Sequence, residues 1–434
     1  MLTAAAAEPA QRRVAGGLAR RGVGPEDRVA FLLPSSPSLL VALLGALRSG
    51  VVPVPLNPAL LAEERRDLLA DAEPALVVDD EETLAALLDG PEAELAPVPR
   101  ARPMHFTSGT TGTPKGVWSG VLADDEAQAM FDDEAEQWAF DARDVHLVCS
   151  PLHHSVAIRF SAGTLLSGGA VIVLPRFDAA TAAHVIAEHR PTTTFMVPSH
   201  LQRLFALGDQ PDMSCLRLMV HAGAPCPERL KLAALDTFPA GAVWEFYGAT
   251  EGQFTACSST EWLDRPGTVG RARSGRTLSV DDDGTIWCRP PPFGRFEYWR
   301  DPEKTATAWR RGAFTVGDLG RLDDDGFLYL DGRRDDLVIS GGVNVYPAEV
   351  ERALRALDGV RDVAVFGVAD ERWGQRVCAA VVGDVTPAEV LAHARAHLAG
   401  YKVPKEVHVV DELPHTSTGK LRRGVVASQL GLGG

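Results

Sequence analysis

The sequence predicts an α/β protein, and three observations predict it. Short apolar runs alternate with helix-spaced segments up to about residue 220; from about residue 267 the chain turns to short strands and Asp/Gly turns; and a further change follows Gly332-Arg333-Arg334-Asp335-Asp336. Strands joined through helices form parallel sheets covered by helices. The middle region reads as an antiparallel sheet or barrel, and the last part as a small α+β domain.

Taken in order, apolar spacing predicts helices at 11–22 and 37–49, with short buried strands at 28–33, 51–54 and 75–78. Further strands are expected at 145–149, 170–174, 193–197 and 216–220, each separated by a helix-like stretch. Asp281-Asp282-Asp283-Gly284 and Asp323-Asp324-Asp325-Gly326 mark tight turns. The C-terminal part should hold a Gly-Gly hairpin, a helix at 347–357, a strand at 361–368, a second helix at 386–399 and a basic tail.

Composition narrows the partners. The 434 residues carry a formal charge of −15 with no long Lys/Arg run, which argues against nucleic acid or an anionic membrane. An anionic substrate must then be held by local cations and backbone donors. Six scattered cysteines without a Cys-x-x-Cys pair suggest neither a zinc site nor a disulfide framework and fit a reducing cytoplasm. The apolar stretch 39–47 is far short of a membrane span, and Ala4 to Ala7 is too short for a signal-peptide core, so no membrane insertion is expected.

The most informative run is Thr107-Ser108-Gly109-Thr110-Thr111-Gly112-Thr113-Pro114-Lys115-Gly116. Its glycines let backbone N–H groups approach a ligand, and its hydroxyls and lysine add donors and charge suited to polyphosphate. It is not a Walker A loop, and by itself it reads slightly better as a flexible surface linker. Tyr247-Gly248-Ala249-Thr250-Glu251-Gly252 offers an aromatic face, a hydroxyl and a carboxylate able to hold Mg²⁺. Gly317-Asp318-Leu319-Gly320 places an acid in a turn, either as a ribose acceptor or as an Asx-turn. Two longer segments follow: Gly332-Arg333-Arg334-Asp335-Asp336 running on through Gly341-Gly342-Val343-Asn344-Val345-Tyr346-Pro347, and Leu413-Pro414-His415-Thr416-Ser417-Thr418-Gly419-Lys420.

In this order the five segments resemble the adenylate-forming superfamily of acyl-CoA synthetases, peptide-synthetase adenylation domains and luciferases, over about residues 15–423. The resemblance implies a large N-terminal domain of helix-covered sheets plus a distorted β-barrel (1–334) and a small mobile C-terminal lid (335–434). It implies that Thr107, Ser108, Gly109, Thr110, Thr111, Gly112 and Lys115 embrace the ATP phosphates. Gly223, Ala224 and Pro225 would sandwich adenine with Tyr247, Thr250 would meet the α-phosphate, and Glu251 would ligate Mg²⁺. Asp318 would bind the ribose with Arg333 beside it, Asp335 would be the hinge, and Lys420 would reach the carboxylate and α-phosphate. Gly341, Gly342 and Trp373 would line the path of CoA, and His154 would flank the reacting carboxylate.

Within the superfamily the segments look most like bacterial acyl- and aryl-CoA synthetases, which implies ATP, Mg²⁺ and CoA as reactants and cofactors. The acid pocket would be formed by Val156, Arg159, Phe160, Met196, Ser199, Phe246 and Gly248, suited to an aromatic or medium-length apolar acid. Arg159 is read as pointing to solvent, with recognition of a second polar group as its alternative. Phe246, where a base would precede Tyr247, argues against a dicarboxylate such as malonate. Transfer to a carrier-protein pantetheine, activation of nitrite toward an amine, and a degenerate nucleotide-binding protein are the competing readings. Against the family pattern, 79–103 and the region between Glu251 and Asp318 are short, leaving pocket size and a homodimer surface open.

Overall fold

The computed structural model describes residues 1–107, 114–340, 343–370, 372–415 and 421–432, with backbone alone for Thr107 and Asp335. Thirteen strands and nine helices carry the chain to residue 272: β1 (Leu2–Thr3), α1 (Ala4–Arg20), β2 (Arg28–Phe31), α2 (Pro37–Arg48), β3 (Val52–Pro55), α3 (Ala62–Ala72), β4 (Leu76–Val78), α4 (Glu81–Leu88), β5 (His105–Thr107), β6 (Lys115–Trp118), α5 (Asp124–Trp138), β7 (Val145–Val148), α6 (Ser155–Leu166), β8 (Ala170–Val173), α7 (Ala179–His189), β9 (Thr193–Met196), α8 (Pro198–Phe205), β10 (Leu218–His221), α9 (Glu228–Thr237), β11 (Val243–Gly248), β12 (Gln253–Ser258) and β13 (Arg271–Ala272), besides a short helix at Ser259–Asp264. Each strand and helix expected in this region is present within a few residues. Two differences are informative. α1 begins at Ala4, capped by the Thr3 hydroxyl on Ala6 N, so the helix expected from residue 11 takes in the Ala-rich start as well. β1 has two residues, too few to show a period, and exists only because it pairs with β8.

The main sheet runs β1-β8-β7-β9-β10-β11-β12-β13, parallel from β8 to β11 and antiparallel at its edges. A second parallel sheet, β3-β2-β4, packs with α1, α2 and α4 into one apolar core. Ser36 caps α2 by accepting from Leu39 N at 3.0 Å, with Pro37 in the first turn.

Pleating sorts the main sheet's side chains between two cores. Leu218 and Val220 of β10 and Phe195 of β9 face an aromatic cluster with Trp138 and Phe160. Met219 and Met196 face the other side, against Leu201, Leu204 and Ala234 of α8 and α9. Polar residues are also buried on this side: Lys231 of α9, 1 % exposed, donates to Glu245 Oε2 of β11 at 3.1 Å and lies 2.6 Å from His221 Nε2 of β10. Burial and the adjacent ammonium push the His221 pKa far down, so its neutral ring accepts from Lys231.

Beyond β13 the chain forms small antiparallel sheets around Phe254, Phe296, Tyr298, Phe314 and Leu328. One joins Thr277–Val280, Ile286–Arg289, Ala313–Phe314 and Trp309–Arg310; another adds Glu297–Tyr298 to β6 and β5; a third pairs Asp318–Leu322 with Leu328–Arg333. The C-terminal unit is a mixed sheet, Val343–Val345, Val338–Ser340, Gly374–Gly383 and Val360–Asp370, with Glu406–Val409 parallel to Gly374–Gly383. Helices Pro347–Arg355 and Pro387–His397 cover it, as expected. Among the described residues no helix is long and apolar enough to cross a membrane.

Lys231→Met should strand the buried Glu245 carboxylate and lower stability by about 3–5 kcal/mol. Adding Glu245→Gln should recover part of that loss. Urea unfolding of the two variants measures both, and a loss below about 1 kcal/mol in the first would show that the pair does not hold α9 to the sheet.

Candidate active site

The site is built at the carboxyl ends of β10 and β11, adjacent parallel strands whose following segments face a common crevice. After β10, Gly223 takes φ +90°, a left-handed conformation that opens the turn into Ala224 and Pro225. After β11 the chain reverses within four residues: Ala249 N donates to Gly252 O at 2.8 Å and Gly252 N to Ala249 O at 3.2 Å. Gly248 permits this, since a Cβ there would sit 2.8 Å from Gly252 O.

That turn presents Thr250 and Glu251. Arg102 holds it from outside, donating from Nη2 to Thr250 O at 2.9 Å and from Nη1 to Ser119 Oγ at 3.1 Å. Glu251 is 5 % exposed, and its Oε1 accepts from Tyr298 Oη at 2.8 Å. It forms no ion pair among the described residues, so this buried carboxylate keeps acceptor capacity for a cation. Mg²⁺ characteristically binds one or two carboxylates plus substrate phosphates, and Glu251 fits that requirement.

Tyr247 lies against Phe254 and donates its hydroxyl to Asp318 Oδ2 at 2.6 Å. Burial and that carboxylate raise the phenol's pKa far above its usual value, so it stays a donor. Arg333, opposite Asp318 across the antiparallel pair, contacts Asp318 Oδ1 through Nε at 3.1 Å. The structure thus brings Tyr247, Asp318 and Arg333 together, residues 71 and 86 positions apart from first to second and first to last in sequence. Lys115 begins β6, opposite Thr107 of β5, and its Nζ lies 3.9 Å from Asp301 Oδ2. Ser108, Gly109, Thr110, Thr111 and Gly112, and likewise Gly341, Gly342 and Lys420, lie outside the described residues.

The residues expected around the acid meet an aromatic cluster. His154 precedes α6 as its N-cap residue, with its ring 4.4 Å from that of His153, whose pKa burial pushes down to about 4. Phe160 is fully buried, with ring centroids 5.3 Å from Trp138 and 6.2 Å from Phe195; Phe246 lies 6.0 Å from Phe195, and Val156 packs against the same cluster. Met196, expected with the others, lies on the opposite face of the sheet from them, and its neighbour Phe195 joins the aromatic cluster, because successive strand residues face opposite ways. Ser199 lies in the first turn of α8, where its carbonyl accepts from Arg203 Nε at 3.2 Å.

Arg159 keeps part of its side chain in solvent (26 % exposed), while its Nε pairs with Glu134 Oε2 at 3.1 Å and its guanidinium lies 5.4 Å from the Phe246 ring centroid. Glu134 receives four donors, Gln253 Nε2 (2.6 Å) and Arg273 Nη1 (3.0 Å) on Oε1, Trp138 Nε1 (3.2 Å) and Arg159 Nε (3.1 Å) on Oε2. Burial would raise its pKa, but the Arg159 and Arg273 charges and the hydrogen bonds outweigh this and hold it at about 2. Sequence reading missed Arg102, Glu134, Arg273 and Tyr298. None lies in a motif, and only tertiary contact brings them to the site.

In the C-terminal unit Trp373 sits between Lys405 and Arg372, 5.4 and 4.9 Å from its ring. Asp335 lies in the 3₁₀ turn Arg334–Asp336 that joins Leu328–Arg333 to Val338–Ser340, a position where a hinge would act. All six cysteines are free, and burial raises every one of their thiol pKa values, to about 12 for Cys149, Cys226 and Cys257.

Because the folded pKa of Glu134 is depressed, its ionic contribution to stability is full above about pH 4.5 and fades as pH falls toward 2. Glu134→Gln should therefore be clearly less stable than wild type at pH 7, with the gap narrowing below pH 4. Denaturant unfolding across that range tests it; a constant gap would assign the loss to packing instead of charge.

Residues 2–291 match the family model described as AMP-binding enzyme, and residues 349–420 match its C-terminal domain. The chain is 34 % identical to feruloyl-CoA synthase of Amycolatopsis sp, over 96 % of this chain and 92 % of that protein. It is 33 % identical to the long-chain-fatty-acid–CoA ligase FadD13 of Mycobacterium tuberculosis, over 96 % and 91 %. The crystal structure of ATP-bound MatB from Rhodopseudomonas palustris superposes with a TM-score of 0.87 at 30 % identity, covering 98 % of this chain and 93 % of that one. With the Tyr247–Asp318–Arg333 cluster and the Thr250–Glu251 turn in place, the chain belongs to the AMP-binding enzymes, the adenylate-forming superfamily that includes the acyl- and aryl-CoA synthetases.

Proposed function

We propose that the protein joins an aromatic or apolar carboxylic acid to CoA in two steps, through an acyl adenylate, with Lys420 as the catalytic lysine and residues 335–434 as a lid. The ligase class follows from family membership. The observation that carries the residue assignments is the Thr250–Glu251 turn held beside the Tyr247–Asp318–Arg333 cluster on one strand end. The aromatic walls Phe160, Phe195 and Phe246 support the choice of acid, and the relatives' named acids include an aromatic and a fatty one.

In the first step the acid's carboxylate attacks the α-phosphorus of ATP and pyrophosphate leaves. Both reactants are anionic, so the barrier is largely charge repulsion, and fixed positive charge and donors must offset it as charge shifts to the leaving oxygen. Tyr247 and Asp318 would orient the nucleoside, Lys115 and the 107–112 loop would hold the leaving phosphates, and Thr250 would donate to the α-phosphate. Glu251, positioned by Tyr298, would hold Mg²⁺, which supplies charge neutralisation between phosphates. Lys420 would bridge the carboxylate and the α-phosphate.

In the second step the CoA thiol attacks the acyl carbon and AMP leaves. Trp373 with Arg372 and Lys405 forms an aromatic and cationic surface suited to the nucleotide end of CoA. Asp335 in the connecting turn would let the lid exchange Lys420 for the thiol path. Six free cysteines suit a reducing compartment and support a cytoplasmic setting.

Lys420→Ala should reduce acid-dependent pyrophosphate release by at least about 10²-fold while ATP still binds with near wild-type affinity. Wild-type release by that variant would remove the lysine from the mechanism. Asp335→Pro, which fixes φ in the connecting turn, should spare pyrophosphate release and slow thioester formation about tenfold or more. Parallel loss of both half-reactions would place the hinge elsewhere.

A further inference from the structure

The charge arrangement behind the acid pocket does not close on itself. Arg273 and Arg276 both pair with Asp133, Arg273 also reaches Glu134, and Arg159 reaches Glu134, so three guanidinium groups meet two carboxylates. Both oxygens of Glu134 are already filled by its four donors. Arg159 therefore uses only Nε on its carboxylate partner, and its Nη2 is buried with no hydrogen-bond partner among the described residues. Buried donors are normally satisfied, and those that are not point to a missing acceptor.

The position of that donor is specific. Arg159 is on α6, five residues after His154 and one before Phe160, and its guanidinium lies over the rings of Phe246 (5.4 Å) and Phe160 (6.0 Å). The cation meets the aromatic cluster from the helix, over the very residue, Phe246, whose neutrality argued against a second charged group on the acid. Glu134 fixes the guanidinium in that place without saturating it, as a planar fork pinned at one edge and presented at the other.

We propose that Arg159 is a specificity-determining residue that reads a second oxygen acceptor, a ring carboxylate or phenolic oxygen, at the far end of an aromatic acid. The acids this protein selects are then aromatic acids bearing such a group, not plain hydrocarbon ones. This rests on the ligase reading above for the identity of the pocket. Burial lowers the Arg159 pKa, but the side chain remains cationic at neutral pH because its ordinary value is so high.

The test uses the full-length protein with Mg²⁺ and a non-hydrolysable ATP analogue, titrated calorimetrically with cinnamate, 4-hydroxycinnamate and 4-carboxycinnamate. Wild type should bind at least one substituted acid about tenfold or more tighter than cinnamate. Stronger preference for the carboxylate identifies an anion as the group read, and stronger preference for the hydroxyl identifies a neutral acceptor. Arg159→Met should abolish the preference, weakening the favoured substituted acid about tenfold more than cinnamate, and Arg159→Lys should restore part of it. Equal binding of all three acids by wild type, binding of none, or equal weakening of all three by Arg159→Met would overturn the proposal; the last would make Arg159 a strut for Glu134. Thioester formation is measured separately with CoA. Its absence for acids that bind selectively would refute the ligase reading and leave the role of Arg159 standing.

Discussion

The pleat of β11 is the constraint on which the rest of the site depends. Three consecutive residues leave it for three environments: Glu245 into the buried polar network behind the sheet, Phe246 into the aromatic cluster, and Tyr247 toward the antiparallel core and Asp318. Alternation makes this arrangement all-or-none, since a one-residue slip would send each side chain to the wrong face. The strand then ends in the turn that presents Thr250 and Glu251. The residues proposed for nucleotide, acid and metal are thus placed by one backbone path, and Arg102 and Tyr298 lock its end from two other parts of the chain.

A chain with a net charge of −15 handles anionic reactants through local arrangement alone. The arginines around the crevice are each tied to an acceptor: Arg102 to the backbone of the turn, Arg273 and Arg276 to Asp133, Arg333 to Asp318. Such tethering fixes the direction of each positive group before a ligand arrives, so little reorganisation is left for the reaction itself. It also explains why overall charge says so little about what the site accepts.

Most of the fold was legible because its signals are local. Apolar runs such as Val145–Val148 and Ala170–Val173, and the helix-spaced segments between them, carry their period in a few residues, and the strands were found within a residue or two. The Tyr247, Thr250, Glu251, Asp318 and Arg333 positions were legible because motif order marks them. What could not be read depends on which way a side chain faces or on which distant element packs against it. Met196 and Phe195 are both apolar, and only the sheet decides which one meets the aromatic cluster. Arg159 is one of many arginines until Glu134, 25 residues earlier, turns it inward. Tyr298 reaches Glu251 across 47 residues with no pattern to announce it.

The state of the cysteines has a consequence for the protein's own survival. An acyl adenylate is an acylating reagent and would modify any thiolate within reach, the enzyme's own included. Here burial keeps all six thiols protonated well above physiological pH. The chain's cysteines are therefore poor competitors for the acyl group, and part of the preference for an incoming thiol over self-modification at cysteine lies in the packing of its cores.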